Sequence, residues 1–496
     1  MPTLDFYPLD IDAVNSPSGR TQIRLFGRTP DGKRVCAIDD RFEQYFYVVP
    51  TNIEHLKKLQ NIAETTKHRD GERLAYVTET SIETKHLQGE AVKVLKIKVN
   101  HPKDSKILAK YLKTKKEVKG IYETDLSSTK RYLMDNKITL LVSCKVEGKE
   151  TTANVRADII LKIKKLDQTE GVFIKNPKIL AIDIEAYNPG RQPDPQKDPI
   201  LMVAFYGKEN YSKVLTWKKF EQPKKHIEFV KDEGELLLRV KEVLKEYKPD
   251  YLVGYYSDGF DLPYLRARAD KYPIKLDVGM DSNNIRLTKR GILQSAKIKG
   301  IVHLDIYKFI KRIMKNVLDI EEYDLDTVSK AILGEGKEEL AIENLAKIWD
   351  EEPEQLKKYC DYNLQDAKLT YNLLQKLMPN INELTKLIHL PLYDTSRMTY
   401  GQLVENYILM HLEESQELIP NKPRQEEIQE RRTQTYTGGF VYEPKPGLYE
   451  NIVVFDFRSL YPTIISAHNI CVSTITDDTK SSIASPDIKQ GDTITQ

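Results

Sequence analysis

The run Ile179-Leu180-Ala181-Ile182-Asp183-Ile184-Glu185 constrains this chain most. Its apolar start predicts a buried strand, and strand side chains alternate faces. Asp183 and Glu185 should therefore project from one face at the strand's end, with Ile184 turned into the core. Two carboxylates beside a core are costly unless a cation or another partner compensates them. An isolated Asp-x-Glu is usually ordinary surface charge; the apolar flank raises this one above that reading.

Two further pieces carry carboxylates. Ser257-Asp258-Gly259-Phe260-Asp261-Leu262-Pro263-Tyr264-Leu265 follows a strand at Tyr251-Leu252-Val253. Asp261 sits where a helix should begin, so taken alone it reads first as a helix cap. Tyr362-Asn363-Leu364-Gln365-Asp366 lies on a helix expected after Pro353, with Tyr362 and Asp366 on one face. Alone, that pair reads as a half-buried tyrosine and a solvated carboxylate. Together the pieces offer hard oxygen donors suited to Mg²⁺ or Mn²⁺. Two such ions can activate a water and stabilise the leaving oxygen in phosphodiester cleavage. A tyrosine beside the last carboxylate can orient that water.

The 496 residues suggest about three domains. Lys and Arg total 76 against 74 acidic residues, so no overall positive field attracts nucleic acid. Local clusters, Lys93/Lys96/Lys98 and Lys162/Lys164/Lys165, read as solvated strand faces. The four cysteines, Cys36, Cys144, Cys360 and Cys471, form no CxxC pair, which fits a reducing compartment. No signal pattern or membrane-length apolar run is present, so a soluble, cytoplasmic protein without a membrane partner is expected.

The fold class expected is mixed α/β and α+β, in several domains. Residues 1–142 read as a β-rich N-terminal domain, with alternating runs at Tyr45–Val49 and Val92–Val99. Residues 143–377 alternate strands with helices at Glu233–Tyr247, Leu325–Leu333, Glu339–Trp349 and Pro353–Leu377. Residues 378–425 read as a helical segment returning to the N-terminal domain, and Asn421-Lys422-Pro423-Arg424 as a boundary. Residues 426–496 should hold a strand at Ile452–Phe455 running into a helix near Ser459.

The order D-I-E, G-F-D-L-P-Y-L, Y-x3-D resembles the three exonuclease motifs of archaeal-type family B DNA polymerases. His303-Leu304-Asp305-Ile306-Tyr307 and Tyr323-Asp324-Leu325 resemble their surroundings in that family. The resemblance implies an RNase-H-like 3′→5′ exonuclease domain over 143–377. It also implies that Asp183, Glu185, Asp261 and Asp366 hold two metal ions and that Tyr362 positions the water. The family usually has Asn five residues before the second-motif Asp; this chain has Tyr256.

Asp456-Phe457-Arg458-Ser459-Leu460-Tyr461-Pro462-Thr463-Ile464-Ile465 resembles polymerase motif A, the first part of a palm. The resemblance makes Asp456 and the Phe457 backbone metal ligands. Ser459, Leu460 and Tyr461 become nucleotide contacts, with Tyr461 a steric gate against ribonucleotides. Tyr436-Thr437-Gly438-Gly439 resembles a template-contacting element, which assigns Tyr436, Gly438 and Gly439 to DNA. Phe42–Tyr47 and Val94 resemble parts of the archaeal uracil-sensing pocket, with Gln44 replacing a usual proline.

The second palm aspartate (Y-x-D-T-D) and the fingers helix (K-x3-N-S-x-Y-G) do not occur in these 496 residues. Thr476-Asp477-Asp478-Thr479 reads as a polar loop. The expectation is the large subunit of a split polymerase, or a truncated chain. A second chain would then supply fingers, motif C and thumb, giving a heterodimer. Expected partners are primer-template DNA, single-stranded 3′ ends, dNTPs and a sliding clamp, with two Mg²⁺ or Mn²⁺ per site. The rivals are a stand-alone 3′→5′ repair exonuclease with a vestigial palm, and a non-catalytic scaffold subunit of a replication complex.

Overall fold

The computed structural model describes residues 3–15, 20–70, 73–174, 176–221, 223–290, 293–337, 344–433 and 442–471. The chain divides into two compact units, Met1–Asn421 and Lys422–Gln496.

The first unit opens with a closed five-stranded barrel. Thr3–Asn15, Thr21–Arg28 and Arg34–Asp39 form an antiparallel meander. Its two edges are closed by strands from much later in the chain, Val142–Glu150 and Ile159–Phe173. The latter runs parallel to the third strand, Ile159–Lys162 opposite Val35–Ile38. The boundary expected at 142/143 therefore falls inside a sheet. Inward residues Phe6, Ile23, Leu25, Val35, Val146 and Leu161 fill the barrel. A second five-stranded sheet contains Gln44–Pro50 and Glu90–Val99, the two alternating runs of the sequence. Its apolar face packs on Leu59 and Ala63 of one helix and on Leu108 and Leu112 of another.

The α/β part is built on a six-stranded sheet. Its strands are β1 (Ile179–Ala186), β2 (Ile200–Gly207), β3 (Ser212–Thr216), β4 (Ile227–Phe229), β5 (Tyr251–Gly254) and β6 (Val302–Asp305). Their spatial order is β4-β3-β2-β1-β5-β6. Strand β1 pairs antiparallel with β2 and parallel with β5. All residues of β2 are buried, as expected for a strand covered on both faces.

Alternation along β1 assigns its two faces. Leu180, Ile182 and Ile184 pack toward helices α1 (Glu233–Tyr247) and α2 (Asp261–Lys271). Ile179 and Ala181 face the other way, into a core shared with Cys360, Ala367, Leu373 and Leu374 of a long helix. Helix α3 spans Leu325–Leu333, α4 Leu345–Glu351 and the long α5 Leu356–Ile388. Helix α5 runs eleven residues past the Leu377 expected from sequence and carries Pro379 inside it. Residues 338–343, the start of the expected helix at Glu339–Trp349, lie outside the described residues.

In the second unit the described residues contain helices Gln425–Thr433 and Leu460–Ala467. The strand expected at Ile452–Phe455 is not formed: this stretch has no secondary structure, and Val454 and Phe455 are 86% and 89% exposed. An apolar run becomes a strand only when another strand accepts its hydrogen bonds, and none of the described residues does so. Cys36, Cys144 and Cys360 are buried free thiols, and Cys471 is exposed. No described helix is long and apolar enough to cross a membrane.

Candidate active site

Parity on β1 decides where the site lies. Asp183 and Glu185 are in step with Ile179 and Ala181, so both point to the face covered by α5. Asp366 lies on α5 and meets them there. Ligand oxygens of Asp183, Glu185 and Asp366 all lie within 4.8 Å of one another. Asp183 and Glu185 keep some solvent contact, whereas Asp366 is buried.

Asp261 approaches from the end of β5. The cap expected of it is not what the structure has. Asp261 is the first residue of α2, and the preceding cap position belongs to Phe260. Its Oδ1 instead accepts the Ile184 N–H at 3.2 Å, which ties the α2 start to β1 between the two strand carboxylates. Pro263, in the first turn, costs no hydrogen bond there.

Without a cation these carboxyls resist ionisation. Burial, then the neighbouring Asp366 and Asp261, pushes Asp183 well above the ordinary carboxyl range. Burial first and Asp366 second raise Glu185 to about 8. Burial lifts Asp261 to about 7 and Asp366 to about 6. Asp366 Oδ1 is buried without a hydrogen-bond partner, and so is Asn363 Oδ1. An all-oxygen donor set, crowded and with an unmatched buried oxygen, fits a hard divalent cation.

Three neighbours of the cluster have roles that the sequence did not assign. Lys337 Nζ donates to Asp366 Oδ2 at 2.6 Å and to the Tyr362 hydroxyl oxygen at 3.2 Å. Burial would lower the Lys337 ammonium, but Asp366 holds it above the ordinary lysine range. Local structure delivers it: Asp324 caps α3, Gly334 ends that helix at φ 72°, and Asp326 Oδ1 accepts the Lys337 N–H at 2.7 Å. Tyr362 and Asp366 do share a face of α5, and Lys337 bridges them. Asn363, fully buried, donates from Nδ2 to Asp183 Oδ2 at 2.6 Å.

The third neighbour is a buried network beneath the β5–α2 loop. Asp305, at the end of β6, accepts N–H groups of Tyr256 (3.1 Å) and Asp258 (3.0 Å). Asp258 accepts from Lys308 Nζ and Arg397 Nε, each at 2.8 Å, and from the Ala296 N–H at 2.7 Å. Burial opposes the Asp258 charge, but His303, Arg397 and Lys308 together outweigh it and hold its carboxyl below the usual range. The loop that carries Asp261 is thus fixed from below. Its signal was the His303-Leu304-Asp305 run, read only as family surroundings.

The motif A residues lie in the second unit. Ser459 has φ 54° and precedes the helix Leu460–Ala467. Asp456 is exposed, and Phe457 and Tyr461 are 78% and 79% exposed. Asp456 does not end a strand there. Tyr436, Gly438 and Gly439 lie outside the described residues, as do Thr476–Thr479. In the N-terminal sheet, Val94 is fully buried, and the Tyr45 hydroxyl donates to Asp135 Oδ1 at 2.8 Å.

Comparison with known proteins agrees with this layout. Residues 119–328 match the family described as "DNA polymerase family B, exonuclease domain", and residues 394–495 match "DNA polymerase family B". The first stretch contains Asp183, Glu185 and Asp261, and the second Asp456 to Tyr461; Tyr362 and Asp366 fall between them. The DNA polymerase of Pyrococcus horikoshii is 34% identical over 94% of this chain and 34% of its own length. That of Pyrococcus glycovorans is 33% identical over 94% of this chain and 54% of its own. The solved family B DNA polymerase of Pyrobaculum calidifontis superposes with a TM-score of 0.77 at 25% identity, covering 97% of this chain and 59% of that one. The chain thus spans roughly a third to a little over half the length of these relatives. With its β-rich start, this chain carries the exonuclease domain and a polymerase-domain stretch of the family B DNA polymerases.

Proposed function

We propose that this chain carries the 3′→5′ exonuclease of a DNA polymerase together with the first part of its polymerase site. The observation that carries the reading is the cluster of Asp183, Glu185 and Asp366, with oxygens within 4.8 Å and an unmatched oxygen on Asp366. Asp183, Glu185, Asp261 and Asp366 are assigned to hold two Mg²⁺ or Mn²⁺ ions. Bound there, the ions would supply Lewis acidity at the terminal phosphodiester. The reaction is attack by water on phosphorus. The bond to the 3′ oxygen of the penultimate nucleotide breaks, and a nucleoside 5′-monophosphate leaves.

The chain's own groups set the geometry. Lys337 donates to the Tyr362 oxygen, so the Tyr362 O–H is directed away from Lys337. That O–H is left to donate to the attacking water or to a phosphate oxygen. Asn363 engages one oxygen of Asp183 and leaves the other for a cation. Asp456 and the Phe457 carbonyl are assigned to a polymerase cation, and Ser459, Leu460 and Tyr461 to the incoming dNTP. Tyr436, Gly438 and Gly439 are assigned to template. Nucleotide addition needs a second palm carboxylate from outside these residues, on a companion chain or a continuation of this one. The domain assignment proposed for function is exonuclease over 143–377 and the first part of the palm over 426–496.

The test is release of label from a 3′-labelled oligonucleotide in Mg²⁺ or Mn²⁺. Release by the chain and none by Asp183→Ala supports the reading; no metal-dependent difference between them overturns it.

A further inference from the structure

Tyr256 departs from what its position normally demands. It has φ 63°, a left-handed conformation that is unusual for a bulky side chain. Its ring is 49% exposed, although it stands in the loop between β5 and α2 that leads into Asp261. Both features are held in place. Asp305 accepts the Tyr256 N–H, and the Tyr256 carbonyl accepts the N–H groups of Gly259 and Phe260 at 2.9 and 3.0 Å. The phenol end of the ring lies against Gly259, where an added Cβ would come within 2.4 Å of Cζ. Tyr307 packs against the ring at nearly a right angle, with ring centroids 5.2 Å apart at 83°. Tyr307 is itself braced by Tyr255 at 5.7 Å and by Lys311 Nζ, which donates to its hydroxyl at 2.7 Å.

A braced, exposed aromatic ring in the loop that delivers Asp261 is suited to stacking on a planar group. We propose that Tyr256 is the stacking surface for a nucleobase at the 3′ end of the single strand entering this site. The inference rests on the exonuclease reading and adds the subsite that grips the base. A side-chain amide here would read hydrogen-bonding edges; a phenol ring offers a face that every base can meet. The strand is then held by stacking, with little dependence on sequence. Lys311 places a cation over the neighbouring Tyr307 ring, 5.1 Å from its centroid.

The test uses the full chain in EDTA with a single-stranded oligonucleotide carrying 2-aminopurine at its 3′ end. Stacking quenches 2-aminopurine fluorescence. Tyr256→Asn is the informative variant, because asparagine tolerates the left-handed backbone and removes only the ring. Quenching is expected with the wild type and Tyr256→Phe, and absent with Tyr256→Asn. In Mg²⁺, Tyr256→Asn should raise KM for oligonucleotides by about five- to a hundred-fold, with kcat near the wild-type value. The KM difference should vanish for a strand whose 3′ nucleotides are abasic. Equal quenching and equal KM for wild type and Tyr256→Asn overturn the proposal. Wild-type hydrolysis in Mg²⁺ separately decides the exonuclease reading, so either idea can fail alone.

Discussion

Replacing Lys337 by glutamine removes the cation between Asp366 and Tyr362 and leaves the Tyr362 hydroxyl free to rotate. The expected result is a fall in single-turnover hydrolysis on the order of 10²-fold, with Lys337→Arg retaining more. An unchanged rate would remove Lys337 from the site. The carboxyls make a second residue-scale prediction. Unfolded carboxyls titrate near pH 4, whereas here burial and mutual repulsion raise Glu185 to about 8, Asp261 to about 7 and Asp366 to about 6. The folded protein keeps protons that the unfolded chain has released. The stability they contribute is therefore present below about pH 4 and lost as pH rises through these folded values. The ion-free protein should thus lose stability between about pH 5 and pH 8. Mn²⁺ should restore it at the upper end, and Asp183→Asn should flatten the slope; thermal melts in chelator and in Mn²⁺ read all three. Asp183 and Glu185 stood out in the sequence because acids ending an apolar strand are chemically odd, whereas Asp366, alone a solvated carboxylate, stood out only in combination with the other two motifs. Lys337 was not, because Gly334-Glu335-Gly336-Lys337 is an ordinary helix-ending turn whose target lies 29 residues on. Asp261 was half legible: its place at a helix start could be read, but its bond to the Ile184 N–H depends on β1 and β5 being neighbours.

At the scale of elements, alternation along β1 and the four-residue step on α5 bring the cluster together. The loop between β5 and α2 adds Asp261, and it depends on Asp305 for its shape. Asp305→Ala leaves the Tyr256 and Asp258 N–H groups without their acceptor. A loss of about 2–5 kcal/mol is expected, since each buried unsatisfied group costs roughly 1–3 kcal/mol. Urea unfolding measures it, and a loss confined to a few tenths would show that the loop does not need this anchor. Strands and helices here follow hydrophobic period closely: α1 and α3 have the bounds that the pattern predicts. Helix α5 runs past the expected Leu377 and through Pro379, although proline usually ends a helix. Pro379 is instead accommodated among buried Met378, Ile381 and Thr385, where packing outweighs the lost hydrogen bond. Ile452–Phe455 failed in the opposite direction, since period and apolarity cannot supply a pairing partner.

For the whole molecule, the order of motifs along the chain was legible and the closure of the barrel was not. Parallel pairing of Ile159–Lys162 with Val35–Ile38 joins segments more than a hundred residues apart, and no local pattern announces it. The same closure carries the N-terminal fold up to the edge of β1, so the proposed exonuclease site is built on a frame that begins at the first strand. All four proposed metal ligands, with Tyr362 and Lys337, belong to the unit Met1–Asn421. Residues 1–421 expressed alone should therefore fold cooperatively and keep the exonuclease activity of the full chain. Loss of activity from a folded 1–421 would mean that the second unit contributes to that site.

The central claim is that Asp183, Glu185, Asp261 and Asp366 form a cation-dependent nuclease centre acting from the 3′ end. Its most direct measurement is the product ladder from a 5′-labelled single strand incubated with the 496-residue chain across a Mg²⁺ or Mn²⁺ titration. The expected result is stepwise shortening from the 3′ end that rises with the ion, stops with chelator and is absent in Asp183→Ala. A ladder unaffected by chelator or by Asp183→Ala, or an intact strand at every ion concentration, would contradict it.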